Sequence, residues 1–276
     1  MPELPEVETV RSGLEPQIKN RIIKNVIVNY EKMVSPKPPK FIDELKNKTI
    51  EDIRRRGKYL LFDFSGDVVM ISHLRMEGKY AVVKRDEPYK KHDHVIFELD
   101  NGMDIRYNDT RKFGRMNLVP AGAEFNHGGL KTIGPEPTEK DLTFDYLKKT
   151  LAKHHRMIKS FLLDQSMIAG LGNIYTDEVL WMSKIHPKRM TDSLSDREIK
   201  DLRSNIIDEI KKAIAAQGTT VFSYLNANGH AGTFQNQLNV YHQQGKPCPR
   251  CQTTIEKIKV AQRGTHFCPN CQRLDK

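Results

Sequence analysis

The sequence predicts an α+β protein of several domains: an N-terminal helix with a β-sandwich, a helical domain, and a C-terminal β-hairpin held by cysteines. Three observations support this prediction. Short apolar runs alternate with Gly, Asn and Asp turns over residues 21–120, apolar residues at helical spacing follow over 141–217, and four cysteines cluster near the end. We place the domains at residues 1–135, 136–230 and 238–276.

The first element is a helix that begins within "MPELPEVETV". Proline suits a first helical turn and glutamate suits the positive end of the helix dipole. The apolar residues near one face of this helix are Leu4, Val7, Val10 and Leu14. A second interpretation concerns chemistry, because removal of Met1 would leave Pro2 as a free amine beside the carboxylate of Glu3. The two interpretations are compatible.

The sandwich is followed by a linker, "IGPEPTEKDL", which is rich in Pro and Gly, and we expect Thr138 or Asp141 to cap the next helix. The helical stretches after it are "FDYLKKTLAKHH", "MIKSFLLDQS", "NIYTDEVLWMSKI" and "SDREIKDLRSNIIDEIKKAIAAQ". A polar, Gly-rich segment from Gln217 to Gly232 lacks periodicity, and we expect it to move.

The charge balance favours a polyanionic partner, although it is also compatible with simple solubility. The 276 residues include 45 Lys or Arg and 35 Asp or Glu, which give a net charge of +10. Seven basic and two acidic residues place +5 of this charge in residues 246–276. No apolar run reaches the roughly 18 residues of a membrane span, and no apolar signal segment starts the chain, so we expect a cytoplasmic protein.

All four cysteines fall in one pattern, C-x2-C-x16-C-x2-C, and they are Cys248, Cys251, Cys268 and Cys271. This spacing predicts a tetrahedral site for one Zn²⁺ ion, with two disulfides as the disfavoured alternative. Four sulfur ligands leave no open coordination position, so the zinc is expected to be structural. The segment between the pairs predicts a hairpin that turns near "AQRG" and carries Arg263 at its tip, where it could contact a phosphate.

Several motifs together carry a family resemblance. They are "PELPEVE", "RRGKYL", "SHLRMEG", "DTRKFG", "AGLGNIYTDEVLW", "LNVY" and the four-cysteine segment with "AQRGTHFC". In this order, from Pro2 to Cys271, they resemble the formamidopyrimidine-DNA glycosylases, also called 8-oxoguanine DNA glycosylase/AP lyases. The related endonuclease VIII proteins typically open with "PEGPE", so the purine-lesion branch is the better match.

The resemblance implies four catalytic residues, which are Pro2, Glu3, Lys58 and Arg263. Pro2 would be the nucleophile, since a terminal amine has a reference pKa of about 7.7 to 8.0 against about 10.4 for lysine. Glu3 would act as acid and base, with Glu6 one turn further on in a supporting role. Lys58 and Arg263 would stabilise an expelled phosphate, although a surface lysine is the alternative for Lys58.

The resemblance also implies residues that bind DNA: His73, Met76, His92, Arg111, Phe113, His154, Lys159 and Asn173. Met76, Arg111 and Phe113 would fill the gap left by an extruded base, although core packing is the alternative for Met76 and Phe113. Asn173 would lie at a helix start in a helix-two-turn-helix motif, where backbone amides face a phosphate. For His154, a solvated basic helix is the alternative.

A loop that reads the lesion is implied within "QGTTVFSYLNANGHAG", with Thr219, Thr220, Phe222 and Tyr224 as its candidate residues. Phe222 stands where the family commonly carries Lys or Arg, and Gln217 replaces a frequent glycine. Phe222 would close over the extruded base, or it would pack under the loop.

The resemblance therefore implies a bifunctional repair enzyme that excises 8-oxoguanine and formamidopyrimidines through a proline Schiff base and then nicks the strand by β,δ-elimination. Its partner would be double-stranded DNA with an oxidised purine or an abasic site, bound by a monomer in the bacterial cytoplasm at the nucleoid. Two alternatives stay open: a glycosylase of the endonuclease VIII type for oxidised pyrimidines, and a non-catalytic protein that binds damaged DNA.

Overall fold

The structure is a computed structural model that describes residues 1–219 and 232–274. The chain divides into two compact units, one of residues 1–131 with 216–233 and the other of residues 132–215 with 234–276. Helices and sheets are both present, so the predicted α+β class is confirmed. Within the described ranges, no helix combines the length and apolar character needed to span a membrane.

The described part of the first unit contains two α-helices and two sheets. The helices are α1 (Leu4–Ile18) and α2 (Pro38–Leu45). The strands are β1 (Ile23–Val28), β2 (Val34–Ser35), β3 (Ile50–Arg56), β4 (Tyr59–Phe64), β5 (Val68–His73), β6 (Lys79–Lys84), β7 (Asp93–Leu99), β8 (Met103–Asn108) and β9 (Arg115–Pro120). The four-stranded sheet has the order β1-β7-β8-β6 and the five-stranded sheet the order β2-β9-β5-β4-β3.

An apolar core joins α1 to both sheets. Val10 of α1, Phe62 of β4 and Phe97 of β7 belong to this core and are each at most 2% exposed. The face of α1 predicted to be apolar is buried, since Leu4, Val7, Val10 and Leu14 are each at most 1% exposed. The helical interpretation of the N-terminus is therefore confirmed, and burial of this face fixes the helix start against the sandwich.

In the second unit, the described residues form four α-helices and one hairpin. They are α3 (Phe144–Ala152), α4 (Ile158–Leu163), α5 (Asn173–Met182), α6 (Asp196–Ala215), β10 (Glu256–Val260) and β11 (Arg263–Phe267). The expectation for the cap of α3 was wrong: Thr143 is the N-cap, and its hydroxyl accepts a 3.1 Å hydrogen bond from the N–H of Tyr146. Thr138 and Asp141 bond to each other instead, which closes a turn of the linker.

Candidate functional site

The start of α1 places two buried carboxylates beside the chain terminus. Glu3 is the N-cap, and it forms a capping box with Glu6. The N–H of Glu3 donates to Oε2 of Glu6 over 2.9 Å. Both residues are 3% exposed. The capping box satisfies helix-start amides, and it fixes the direction in which the chain enters the helix.

Glu6 also accepts hydrogen bonds from Thr219, which belongs to the last segment of the first unit in chain order. Its Oε1 atom accepts the N–H of Thr219 over 2.8 Å and the Thr219 hydroxyl over 3.2 Å. Gly218 has a positive φ of +72°, and a Cβ atom there would lie 2.7 Å from the same carboxylate oxygen. The N–H of Thr233 donates to the carbonyl of Ala216 over 3.1 Å. The carboxylate of Glu6 therefore anchors the place where residues 216–219 and 232–233 meet.

Several charges surround the terminal amine of the chain. Burial lowers the pKa of this Met1 amine, and the positive charge of Lys58 acts in the same direction. The negative charges of Glu3, Glu6 and Glu77 oppose that shift of the pKa. An amine in this position is thus partly desolvated and lies within the field of both carboxylates and a lysine.

Lys58 lies in the two-residue turn between β3 and β4, yet it is only 4% exposed. The turn is possible because Gly57 takes a positive φ of 55°. Arg55 braces the turn by donating from Nη1 to the Gly57 carbonyl over 3.1 Å and by pairing with Glu8 of α1 over 2.8 Å. The interpretation of Lys58 as an ordinary surface lysine is therefore wrong.

His73 ends β5 next to this turn, where it pairs in register with Tyr59. The two rings meet edge to face, with centroids 4.6 Å apart. Burial lowers the pKa of His73 to about 3, and the positive charges of Arg75 and Lys58 contribute to this shift. Its Nδ1 atom accepts the N–H of Arg75 over 2.9 Å. The imidazole is therefore neutral at physiological pH.

Two loops of the sandwich pack against the side chain of Tyr107. One follows β5 and carries Met76, and the other follows β8 and carries Phe113. A Cβ atom at Gly78 or at Gly114 would lie within 2.0 Å of the Tyr107 hydroxyl, so glycine is required in both loops. The hydroxyl of Thr110 donates to Glu77 across the loops. This packing brings together the two segments predicted to enter the duplex.

Asp109 organises the second loop. It is fully buried, and its carboxylate accepts the N–H of Arg111 over 3.0 Å and the N–H of Gly114 over 2.8 Å. The N–H of Asp109 donates to the carbonyl of His92 over 3.1 Å, which links the loop to another predicted DNA contact. This aspartate was not among the predicted site residues, although its position ahead of a turn is a typical signal for side-chain hydrogen bonds to the backbone.

The loop presents its predicted contacts to solvent. Phe113 is 46% exposed, and the guanidinium of Arg111 lies 4.9 Å from the centre of its ring. An apolar ring with this exposure does not belong to the core, so core packing is excluded for Phe113. Met76 is half-buried in the neighbouring loop.

In the second unit, Asn173 is the first residue of α5 and Gly172 is its N-cap. Gly170 takes a φ of +88°, as the tight turn before the helix requires. The side-chain amide of Asn173 donates to the Gly264 carbonyl of the hairpin over 2.9 Å. His154 is half-buried, and its Nδ1 atom lies 2.8 Å from the Thr150 carbonyl.

Lys159 lies in the interior of the second unit. Its side chain is 0% exposed, and its ammonium donates to Oδ1 of Asp177 over 2.6 Å and to the Gly264 carbonyl over 3.3 Å. The ammonium is thus held by oxygens of the protein itself. The family resemblance implied that Lys159 contacts DNA. Asp177 was not among the predicted site residues, because nothing in the local sequence pattern separates a buried aspartate from a surface one.

The four cysteines form a zinc-binding cluster. None is in a disulfide, and their sulfur atoms all lie within 4.8 Å of one another. Thiolates bound to one zinc at about 2.3 Å stand about 3.8 Å apart, so this set fits one structural ion. The indole N–H of Trp181 donates to Sγ of Cys248 over 3.4 Å. The guanidinium of Arg250 lies 4.1 Å from the centre of the same indole.

The hairpin turns where the sequence predicted. Val260 pairs with Arg263, and the two residues between them, Ala261 and Gln262, have φ values of 49° and 60°. Two successive positive φ values are the geometry of a type I′ turn. Arg263 follows directly and is exposed.

The predicted lesion loop is described only at its start. Thr219 bonds to Glu6 and is 4% exposed. Thr220, Phe222 and Tyr224 lie outside the described residues.

Three family models match the chain. The formamidopyrimidine-DNA glycosylase N-terminal domain matches residues 1–116, the formamidopyrimidine-DNA glycosylase H2TH domain matches 133–224, and a zinc finger found in FPG and IleRS matches 245–274. The formamidopyrimidine-DNA glycosylase of Pediococcus pentosaceus is 68% identical over 274 residues, which are 99% of this chain and 100% of the relative. That of Lactiplantibacillus plantarum is 58% identical over the same shares.

Solved structures of a Lactococcus lactis protein are similar over almost the whole chain. A mutant of Lactococcus lactis FPG in complex with DNA containing Fapy-dG has a TM-score of 0.95 at 44% identity, and the match covers 99% of this chain and 100% of that one. A complex of Lactococcus lactis Fpg with abasic-site DNA has a TM-score of 0.94 at 44% identity, over 98% and 99% of the two chains.

Proposed function

Because the chain belongs to the formamidopyrimidine-DNA glycosylase family, we propose that it acts through Pro2, which becomes the terminal amine once Met1 is removed. The protein is a DNA repair glycosylase and AP lyase for oxidised purines. The observation that carries our assignment is the place of Pro2: this residue is buried directly before the Glu3–Glu6 capping box, and the Met1 amine next to it is partly desolvated, with Glu3, Glu6 and Lys58 as its charged neighbours. Solved relatives bind Fapy-dG and abasic-site DNA, which supports damaged duplex DNA as the partner here.

The proposed reaction begins when the Pro2 nitrogen attacks C1′ of the damaged nucleotide. The N-glycosidic bond breaks and the oxidised base leaves with the bonding electron pair. Glu3 protonates the sugar ring oxygen, the ring opens, and a charged iminium joins the proline nitrogen to C1′. The proline nitrogen gives up its single N–H proton to the Glu3 carboxylate after the attack, and Glu3 passes this proton to the ring oxygen. The iminium is cationic because a secondary amine has no second N–H proton to lose.

Two eliminations then nick the strand. Loss of a proton from C2′ breaks the C3′–O bond, and loss of a proton from C4′ then breaks the C5′–O bond, so that a phosphate leaves at each step. Lys58 and Arg263 offer positive charge where these phosphates leave. Glu6 has a supporting role, since it bonds the backbone of Glu3 and the backbone of Thr219.

We propose further that Met76, Arg111 and Phe113 occupy the gap left by the extruded nucleotide. Their support is the pair of loops packed against Tyr107, from which Phe113 projects with 46% of its surface exposed. His73, His92, His154 and the helix start at Asn173 are proposed as contacts to the DNA backbone. We propose that one copy of the chain suffices, because one lesion presents one reacting C1′ atom.

Borohydride trapping tests the proposal. The wild-type protein is incubated with an 8-oxoguanine duplex and, separately, with a thymine-glycol duplex; each adduct is reduced and then mapped by peptide mass spectrometry. We expect an adduct at Pro2 with the 8-oxoguanine duplex. A matched variant with one extra residue between Met1 and Pro2, which keeps the proline nitrogen in an amide, should bind the duplex but form no adduct. An adduct at Lys58 in the wild-type protein would overturn the assignment.

A further inference from the structure

The outer edge of strand β11 is bonded to helix side chains in place of a third strand. The N–H of His266 donates to Oδ2 of Asp177 over 2.9 Å. Two residues earlier on the same strand, the carbonyl of Gly264 accepts Asn173 Nδ2 over 2.9 Å and Lys159 Nζ over 3.3 Å. Backbone groups at a strand edge otherwise need solvent or another strand. The position of the hairpin edge is thus set by α4 and α5.

Asp177 takes part in most of these contacts, and its two carboxylate oxygens have different hydrogen-bond partners. Oδ1 accepts from Lys159 over 2.6 Å, while Oδ2 accepts the His266 N–H and lies 3.3 Å from His266 Nδ1. The His266 ring also packs edge to face on Tyr241, at 5.0 Å between centroids. The carboxylate therefore fixes both the backbone and the ring of the same hairpin residue.

Stability alone is a weak explanation for this ion pair. The side chains of Lys159 and Asp177 are both 0% exposed. Removing two charges from water is costly, and packed apolar residues of similar volume often give equal or greater stability. What an apolar pair could not supply is an acceptor for the His266 N–H and a donor to Gly264. The hydrogen bonds to His266 and Gly264 therefore explain this buried pair better than its charges do.

We propose that Asp177 is a positioning residue for Arg263. Its bond to His266 fixes the backbone three residues after Arg263, and the ammonium that it holds bonds Gly264, the next residue after Arg263. Arg263 itself is exposed at the turn. The position of its Cα atom, and therefore the region that its side chain can contact, depends on where this backbone is held. A prearranged cation stabilises developing phosphate charge without reorganisation during the reaction. This inference rests on the proposed role of Arg263 in the second elimination.

The experiment compares two double variants that differ in a single acceptor. Lys159→Met/Asp177→Asn removes both charges but keeps a carbonyl oxygen for the His266 N–H, whereas Lys159→Met/Asp177→Leu removes that oxygen with little change in volume. Glu198→Gln is the matched control, because Glu198 pairs with Arg189 over 3.2 Å in the same unit. The zinc content of every variant is measured first. If the leucine variant does not retain zinc, Lys159→Met/Asp177→Ala replaces it.

Two readouts are taken on the full-length, zinc-loaded protein. Amide hydrogen exchange at His266, followed by NMR, reports whether the backbone is held. The ratio of δ- to β-elimination product on a preformed abasic duplex reports the action of Arg263. We expect the leucine variant to exchange faster at His266 and to show a product ratio about tenfold lower than the asparagine variant, as for loss of one hydrogen bond to a polar partner. Glu198→Gln should change neither readout.

Combination with Arg263→Gln separates positioning from general damage. If Asp177 acts through Arg263, the leucine change should lower the product ratio no further once Arg263→Gln is present. Losses that add, or equal ratios in the two double variants, would overturn the inference. If Arg263→Gln alone leaves the ratio at its wild-type value, the proposed role of Arg263 is refuted, and exchange at His266 still decides whether Asp177 holds the backbone.

Discussion

Glu6 and Thr219 are 213 residues apart in the chain, and the carboxylate of one accepts the N–H of the other over 2.8 Å. The second oxygen of the same carboxylate accepts the N–H of Glu3, beside the proposed nucleophile. One buried side chain therefore connects the start of α1 to residues 216–219, the stem that leads into the segment that the family resemblance implies reads the lesion. Changes at this stem are expected to affect base recognition through Glu6.

Gly218→Ala tests this connection. A Cβ atom at Gly218 would lie 2.7 Å from Oε1 of Glu6, so the stem must shift away from the carboxylate. We expect excision of 8-oxoguanine to slow by about tenfold, and cleavage of a preformed abasic site, which has no base to read, to change by less than about twofold. Gly122→Ala is the control, because it carries a similar positive φ of +85° with nothing within 4 Å. Equal losses on both substrates would contradict the prediction.

Asp109→Ala should loosen the loop that carries Arg111 and Phe113. The change removes acceptors for the N–H groups of Arg111 and Gly114, so we expect the free energy of unfolding to fall by about 1–3 kcal/mol. Affinity for an abasic duplex should also fall, which fluorescence anisotropy would measure. Asp100→Ala changes an exposed aspartate of the same unit and should alter neither quantity. Unchanged affinity in Asp109→Ala would show that the loop needs no such support.

His73 should make the stability of the protein depend on pH. Its pKa of about 3 in the folded state lies below the reference value of 6.5, so the unfolded chain binds more protons between these values. The stability contributed by the neutral ring is fully present above the unfolded-state pKa of 6.5 and is lost as the pH falls towards 3. His73→Asn keeps an acceptor for the Arg75 N–H but cannot titrate.

Urea denaturation measures this dependence in the wild-type protein and in His73→Asn. We expect the free energy of unfolding to fall less steeply for the variant between about pH 6 and about pH 4, because the variant lacks the group that takes up a proton on unfolding. Parallel curves for the two proteins would contradict the assignment of a neutral, buried His73.

Trp181 is the only tryptophan of the chain, and its indole N–H bonds a cysteine of the zinc cluster. Its fluorescence should therefore report loss of the metal during titration with a chelator. Trp181→Phe removes the donor, and we expect zinc release, followed with a metal indicator, to be about tenfold faster, as for other partners of metal ligands. Tyr146→Phe, which removes a 2.9 Å bond to the Met167 carbonyl in the same unit, is the control. Equal release rates would show that the indole bond does not support the site.

The stability of the β10–β11 turn can be raised by substitution. Ala261 and Gln262 have φ values of 49° and 60°, which favour Asn and Gly. Replacing the pair by Asn-Gly should raise the stability of the hairpin by about 1 kcal/mol, because it removes backbone strain without touching Arg263. Hydrogen exchange over residues 256–267 would measure this. Faster exchange in the variant would argue against a strained turn.

Some features follow from the sequence alone because their causes are local. The cysteine spacing places two pairs of sulfur ligands in short turns, and the structure brings all four within 4.8 Å. The apolar face of α1 depends on helical periodicity, and the hairpin depends on strand alternation around a two-residue turn. Each of these predictions needs only the geometry of a few neighbouring residues, and each is confirmed.

Other features depended on the tertiary structure, since they join residues that are distant in the chain. The turn that carries Lys58 has a sequence typical of a surface, and only its packing in the fold leaves Lys58 4% exposed. The family resemblance implied that Lys159 binds DNA, yet its side chain is buried against Asp177, 18 residues away in the chain. Whether a charged side chain faces water or a buried partner is decided by what the fold packs against it, and local sequence patterns do not record which distant residues those are.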